Sequence, residues 1–177
     1  MNASVSYASP EPYPPIQVAE PNLCYAQMLS SVFASVKSEL TTITQYTYFS
    51  WVLDQEAADL AAALRKIAQV EMHHLNLLGE MITALGGNPI FRSYPYKRPA
   101  FWSSGVLQYQ CDIEKALHIS IAGEQTAIDS YRHLSKLIQD SGVTKVLQRI
   151  VLDEEIHIQF FQQYLTTIQS KKKQKFQ

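Results

Sequence analysis

The fold is decided by residues 64–89, which read LRKIAQVEMHHLNLLGEMITALGGNP. Apolar residues recur along this stretch at steps of three and four, the repeat of an amphipathic helix. Two glycines followed by a proline close it, as is typical where a helix ends. We therefore predict a helix over about Gln55–Leu85. Glu71 and His74, three positions apart, project from the same face of this helix.

Three further helices are predicted from the same repeat, over about Asn22–Val52, Gly105–Gln139 and Val143–Ile168. The first and second helices, and the third and fourth, are joined by only a few residues, so each pair must form an antiparallel hairpin. The second and third helices are joined by a long segment rich in proline and aromatic residues. This order predicts an all-α fold, a ferritin-like antiparallel four-helix bundle with one long crossover between helices 2 and 3.

The ends of the chain differ in composition from the helical region. Residues 1–21 hold five of the eight prolines, which disfavours a helix and predicts an extended arm. This arm either lies across the domain, lies across a partner subunit, or is disordered. The predicted bundle domain covers residues 22–170. Residues 171–177, which read KKKQKFQ, form a basic C-terminal tail. We interpret this tail as a solvated end rather than as a nucleic-acid contact.

The overall composition argues against several classes of partner. The net charge is −1, so no strong field attracts nucleic acid or anionic lipid. No segment is apolar enough to span a membrane, and the N-terminus does not read as a secretory signal. Two distant cysteines favour a reducing compartment. We expect a cytoplasmic protein with no nucleic-acid or membrane partner. The aromatic crossover either caps the bundle or forms a subunit interface, because exposed aromatic residues at this density need to be covered, and we expect a homo-oligomer.

The two predicted hairpins repeat each other. The first contains ELTTITQY at 39–46 and EMHH at 71–74, and the second contains EQTAIDSY at 124–131 and EEIH at 154–157. Each therefore supplies a glutamate, a tyrosine seven positions later, and a Glu-x-x-His motif. The repeated acidic and imidazole side chains are Glu39, Glu71, His74, Glu124, Glu154 and His157, and the repeated tyrosines are Tyr46 and Tyr131.

This repeat predicts a dinuclear metal site inside the bundle. In an antiparallel bundle the four glutamates and two histidines can converge at one level. Burying carboxylates without partners costs several kcal/mol each, whereas two divalent cations balance a charge of −4. Oxygen and imidazole donors without a thiolate suit iron or manganese, and the sequence leaves open which of the two is bound.

Several residues beside the predicted metal ligands also need an interpretation. Tyr46 and Tyr131 are predicted to hydrogen-bond to the metal-binding carboxylates and orient them; the alternative is a core tyrosine whose hydroxyl is satisfied elsewhere. Asp153 lies four positions before His157, so it either orients a histidine or is a solvated acid. His73 is turned about 100° away from its neighbour His74, and we expect it to be partly exposed.

The pattern Glu-x6-Tyr, Glu-x-x-His, present twice, resembles the ferritin-like superfamily, especially manganese catalases and the diiron domain of rubrerythrins, over residues 22–168. The resemblance implies that Glu154 is either the sixth metal ligand, as in rubrerythrins, or an acid/base beside the metal ions, as in manganese catalases. The ligands that it implies in either case are Glu39, Glu71, His74, Glu124 and His157.

Two departures favour the manganese catalases. Rubrerythrins usually carry an additional glutamate where Ile121 stands, and this chain has no four-cysteine rubredoxin module. Against them, typical manganese catalases have a further C-terminal region.

The resemblance implies an oxidoreductase that disproportionates or reduces hydrogen peroxide at a dimanganese or diiron centre. Its small-molecule substrate would be hydrogen peroxide or dioxygen, and a rubrerythrin-like activity would add an electron-donor protein. The alternatives are ferritin-like iron oxidation and storage, and a metal-bound coat or scaffold protein.

Overall fold

The computed structural model describes residues 6–95 and 98–175. Residues 1–5 of the predicted arm, and 176–177 of the predicted tail, lie outside the described residues. Two short strands, β1 (Arg92–Ser93) and β2 (Ala100–Phe101), pair antiparallel within the crossover. The helices are α1 (Leu23–Phe33), α2 (Glu39–Val52), α3 (Ala58–Ala84), α4 (Ile113–Leu137) and α5 (Ser141–Lys175).

The helices pack in two hairpins, α2 with α3 and α4 with α5. The long crossover joins these hairpins, so the predicted all-α, ferritin-like bundle is confirmed. Helix α3 ends as its sequence predicts, with Gly86 at a φ of +83°, a left-handed conformation that favours glycine. Among the described helices, none has an apolar stretch long enough to cross a membrane.

The first predicted helix is interrupted, and in this respect the prediction over Asn22–Val52 was wrong. Residues 34–38 are not helical and separate α1 from α2. The hydroxyl groups of Ser38 and Thr41 both donate to the carbonyl of Ser35, over 2.9 and 2.7 Å. Such local bonds compete with the hydrogen bonds of a helix. Helix α2 begins directly after this break, so the buried Glu39 lies in its first turn. The helix dipole favours a negative charge at this position.

The other helix boundaries also differ from prediction. Helix α3 begins at Ala58 instead of about Gln55, α4 begins at Ile113 instead of about Gly105, and α5 covers 141–175 instead of about 143–168.

The late start of α4 has a local cause. The side-chain amide of Gln45 accepts from the backbone N–H of Gln108 (2.7 Å) and donates to its carbonyl (2.9 Å). This pair ties the end of the crossover to α2. Asp112 then caps α4 by accepting from the backbone N–H of Lys115 over 2.8 Å.

Two apolar clusters fill the two ends of the bundle. One contains residues of α1, the C-terminal halves of α3 and α4 and the N-terminal half of α5. The other contains residues of α2 and the remaining halves of the three long helices. Along α3, Ala68 belongs to one cluster and Leu77 to the other, with buried Glu71 and His74 between them. A polar level therefore lies between two apolar layers.

Candidate metal centre

The structure brings the six predicted metal-binding side chains together at this polar level. All of them are buried, with at most 3% of their surface exposed. Helix α2 carries one, α4 carries one, and α3 and α5 carry two each. They are Glu39, Glu71, His74, Glu124, Glu154 and His157.

The donor atoms form two interlocking groups of four. In each group, one donor atom from every residue lies within 4.8 Å of the others. The first group is Glu39, Glu71, His74 and Glu154, and the second is Glu71, Glu124, Glu154 and His157. Glu71 and Glu154 belong to both groups. Two neighbouring cations that share two carboxylates would fit this arrangement.

Both histidines turn the same ring nitrogen, Nδ1, towards the glutamates of the centre. Nδ1 of His74 lies 3.0 Å from Glu71, and Nδ1 of His157 lies 3.1 Å from Glu154. The outward Nε2 atoms lie 3.0 Å from Asp153 and 2.8 Å from the carbonyl of Tyr7, respectively. A carbonyl only accepts, so Nε2 of His157 carries a proton and Nδ1 can offer a lone pair to a metal ion.

Two buried carboxylate oxygens provide a test of whether a metal fits. Oε1 of Glu71 and Oε1 of Glu154 accept no hydrogen bond. They lie 2.9 Å from Nδ1 of His157 and 3.3 Å from Nδ1 of His74. When Nδ1 is unprotonated, lone pairs face each other across these short distances, which is unfavourable without a cation between them. Oxygen and imidazole donors are also those that manganese and iron accept.

Burial and neighbouring charges shift the pKa values of the centre's side chains. Burial raises the pKa of Glu39 and Glu124 well above the ordinary value, and the charges of nearby carboxylates raise it further. Burial alone would lower the pKa of both histidines. The charge of Glu154 beside His74, and that of Glu71 beside His157, outweighs it, so both pKa values are raised well above the usual one.

Metal affinity is therefore expected to rise with pH. Raised pKa values mean that these groups keep their protons to higher pH than usual, and a metal ion must displace the protons that they hold. Each displaced proton makes the affinity about tenfold stronger per pH unit. Titrating metal-free protein with Mn²⁺ between about pH 5.5 and 8, with proton release followed by a dye, measures this slope. An affinity that does not change with pH would contradict it.

The two repeated tyrosines hydrogen-bond across the bundle. The hydroxyl of Tyr46 on α2 donates to Glu124 on α4 over 2.5 Å, and the hydroxyl of Tyr131 on α4 donates to Glu39 on α2. Both tyrosines are buried. Each tyrosine thus holds the glutamate of the other hairpin, an exchange that the spacing within one helix does not reveal.

A family model described as a ferritin-like domain matches residues 34–170, most of the chain. The chain belongs to the ferritin-like domain family. No curated protein matches it at the level of sequence.

Solved structures similar to this ferritin-like chain include a catalase and several bacterioferritins. KatB, a manganese catalase from Anabaena PCC7120, is 26% identical with a TM-score of 0.81, over 93% of this chain and 81% of KatB. The bacterioferritins of Rhodobacter capsulatus and Mycobacterium tuberculosis are 21% and 24% identical, with TM-scores of 0.71 and 0.69, over 85% of this chain and 89% of each of theirs. At these low identities, the similarity to the bacterioferritins shows only that the fold is shared. The resemblance to the ferritin-like superfamily, including manganese catalases, is confirmed.

Asp153 in this ferritin-like domain is buried rather than solvated. It accepts from Arg149 (2.7 Å), from the backbone N–H of Ser9 (2.7 Å) and from the hydroxyl of Tyr13, and it lies beside His74. Burial alone would raise its pKa, but these hydrogen bonds outweigh that effect and lower the pKa to about 2. Asp153 is therefore an anion that anchors the outer side of His74.

Sequence reasoning missed Arg149 and Tyr13 entirely. A signal for Arg149 existed, because Arg149 and Asp153 are four positions apart on α5 and can pair along a helix. For Tyr13 the proline-rich segment offered none, since extended backbone has no repeat that predicts which residue faces the bundle. His73 is exposed, and its ring packs edge-on against Tyr13 with the ring centres 4.5 Å apart.

A cavity of about 300 Å³ reaches the centre from the opposite side. It lies between α2, α4 and the end of the crossover, and Glu39, Tyr46 and Tyr131 are among the residues that line it. Its wall on α4 includes Gly123, where an added Cβ would meet no atom within 4 Å. The histidine side of the centre is covered by the arm, so this cavity is an approach to the carboxylate side.

Proposed function

We propose that this protein is an oxidoreductase that disproportionates hydrogen peroxide at a dinuclear manganese or iron centre. The observation that carries the proposal is the pair of interlocking four-residue groups that share Glu71 and Glu154. Four carboxylates and two neutral imidazoles would balance the charge of two divalent ions. The similarity to a manganese catalase over 93% of the chain supports peroxide as the substrate.

Two such ions would supply two-electron redox chemistry, by which two molecules of hydrogen peroxide become two of water and one of dioxygen. The chain's own residues hold the ligands in position. Tyr46 and Tyr131 donate to the two unshared carboxylates, while the outer nitrogens of the two histidines are held from the side of the arm. The apolar layers above and below the centre exclude bulk water.

Glu154 is assigned here as a shared ligand. Its two oxygens lie 3.3 Å from Nδ1 of His74 and 3.1 Å from Nδ1 of His157, a position between the two halves of the centre. This supports the sixth-ligand interpretation. A carboxylate with one oxygen free of hydrogen bonds can also receive and return a proton during turnover.

Metal content and oxygen evolution test the proposal together. Protein purified from its native host should contain two manganese or iron ions per chain by elemental analysis. The loaded protein should release dioxygen from hydrogen peroxide, as recorded with an oxygen electrode. A chain that binds no metal, or one that holds two ions and releases no dioxygen, would contradict it.

Iron oxidation and storage is the second candidate, because the same donors suit iron and bacterioferritins share the fold. Light scattering and iron loading separate the two functions. A cage-sized assembly that retains many iron ions per chain supports storage, while a small oligomer that evolves oxygen supports the peroxide reaction. A scaffold would hold the ions for stability and show neither property.

The cavity beside α4 suits the approach of a small substrate such as peroxide. It leads from the surface to Glu39, Tyr46 and Tyr131. Gly123 borders it and leaves space that a bulky side chain would fill. Since glycine inside a helix costs about 1 kcal/mol relative to alanine, an unfilled glycine here suggests that open space is being kept.

Filling this space is expected to slow the reaction without unfolding the protein. In Gly123→Leu, kcat/KM for hydrogen peroxide should fall by about tenfold or more, because a slightly misplaced or blocked substrate loses much of its rate. Metal content should stay at two per chain, and thermal stability should not fall, because leucine favours a helix. Gly123→Ala, which adds only a methyl group, is the matched control. A leucine variant as fast as the alanine variant would disprove this approach route.

A further inference from the structure

We propose that the N-terminal arm, described from residue 6 to 21, is part of the metal centre and controls how fast metal ions leave it. This inference rests on the proposed metal site. The arm covers the histidine side of the centre, whereas the cavity opens on the carboxylate side. Metal exchange through the histidine side would therefore require the arm to lift, whereas substrate exchange through the cavity would not.

The arm supports both histidines from outside. The carbonyl of Tyr7 accepts from Nε2 of His157 over 2.8 Å. The other histidine is held through Asp153, which lies 3.0 Å from its Nε2 and accepts from both Ser9 and Tyr13 of the arm. Partners of this kind fix the orientation of a ligating imidazole, and losing one typically costs 10–100-fold in metal affinity.

A buried arginine clamps the arm in place. Arg149 donates to the carbonyls of Glu11 (2.7 Å) and Ser9 (2.9 Å), and also to Asp153 (2.7 Å). Its guanidinium lies over the ring of Tyr13, 4.0 Å from the ring centre. Only 5% of the arginine side chain is exposed. A buried arginine with this many partners indicates a docking site built for the arm.

A glycine lets the far end of the arm lie against α5. A Cβ on Gly142 would stand 1.6 Å from the carbonyl oxygen of Gln17, so a side chain there is incompatible with this path. Next to it, Asp140 accepts from the backbone N–H of Ala19 over 2.8 Å. The arm is thus anchored at two places, beside the metal centre and at the start of α5.

The composition of the arm lowers the cost of docking. Pro10 and Pro12 alternate with the arm residues that contact the centre or its arginine clamp. Pro14 and Pro15 lie between those residues and the ones that contact the start of α5. Proline restricts the backbone before docking, so less conformational entropy is lost when the arm binds.

Metal binding and arm docking should favour each other. A cation at Nδ1 withdraws electrons from the imidazole and makes its Nε2–H a stronger donor to Tyr7 and Asp153. Conversely, these acceptors make the imidazole a better ligand. Coupling of this kind is reciprocal: if docking slows metal release by tightening binding, metal must also protect the docked arm.

The rate of metal release tests this inference. Full-length protein loaded with Mn²⁺ is mixed with excess chelator, and release is followed over time. Tyr13→Phe should release metal about tenfold faster than the unaltered protein. Tyr164→Phe is the matched control, because it also removes a tyrosine–aspartate hydrogen bond (Tyr164 to Asp59, 2.8 Å), but an exposed one. Its release rate should stay within about twofold of the unaltered protein.

Hydrogen exchange supplies a second measurement that needs no activity. Peptides covering residues 6–20 should exchange more slowly in metal-loaded than in metal-free protein. Gly142→Ala should weaken this protection and speed metal release, although it lies away from the ligands. If both variants keep two ions and release them at the unaltered rate, the inference is wrong while the metal site stands. If the unaltered chain binds no metal, both proposals fail.

Discussion

Replacing Glu71 with glutamine is expected to abolish binding of both metal ions. Glu71 belongs to both groups of donor atoms, so a single substitution affects the two sites together. A glutamine amide is neutral and offers one weak oxygen donor, which cannot replace a carboxylate shared by two cations. Losing a residue that only hydrogen-bonds to a metal ligand costs up to about a hundredfold in metal affinity or activity. Losing the ligand itself should therefore lower peroxide turnover by at least about a hundredfold.

Glu39→Gln is the comparison that makes this result informative. Glu39 belongs to one group only, so this variant should retain about one ion per chain. Glu154→Gln should behave like Glu71→Gln if Glu154 is a shared ligand, whereas it should retain two ions and lose only turnover if Glu154 is an acid/base alone. Metal content is measured by elemental analysis after exhaustive dialysis. A Glu71→Gln protein that still holds two ions would contradict the assignment of Glu71.

Replacing Asp153 with alanine is expected to destabilise the metal-free protein by about 3–5 kcal/mol, the usual cost of breaking a buried ion pair. The change leaves the buried guanidinium of Arg149 without its carboxylate partner. It also removes the carboxylate that accepts from Ser9 of the arm and lies beside His74. Because the pKa of Asp153 is about 2, against about 3.9 for an unfolded aspartate, its carboxylate stabilises the fold at neutral pH. That contribution is lost only as the pH falls from about 4 towards 2.

Urea unfolding of metal-free protein measures this loss, and two further variants identify its cause. Glu155→Ala, on the same helix as Asp153, removes an exposed partner of Arg132 on α4 (2.7 Å) and should cost less than about 1 kcal/mol. Adding Arg149→Met to Asp153→Ala should recover part of the loss, because no charge is then left buried without a partner. An Asp153→Ala protein as stable as Glu155→Ala would show that the buried pair contributes nothing.

The bundle could be predicted because its information is local. A period of three to four, two short connections and one long one are enough to predict two hairpins and a crossover. The repeat of Glu-x-x-His likewise predicts which faces turn inward, since positions three apart project together. The same reasoning failed at residues 34–38, because hydroxyl groups there bond to their own backbone, and a hydrophobic repeat carries no trace of such competition.

The surroundings of the centre could not be predicted in the same way. The tyrosines Tyr46 and Tyr131 sit on predictable faces, yet each contacts the glutamate of the other hairpin. Asp153 was equally compatible with solvent and with a histidine until the arm was seen to cover it. Tyr7 contributes only its backbone carbonyl, an atom that every residue possesses and no sequence pattern marks.

Helical periodicity links positions within one element, so it was enough to predict the bundle, its two hairpins and the six side chains proposed to hold two metal ions. The folded chain was needed to show which carboxylates belong to both donor groups and which cavity reaches them. It was also needed to show how the arm closes the histidine side. These features depend on contacts between residues on different helices or on the arm, such as the contact between Ser9 and Asp153 across 144 positions, and no local pattern encodes such a distance.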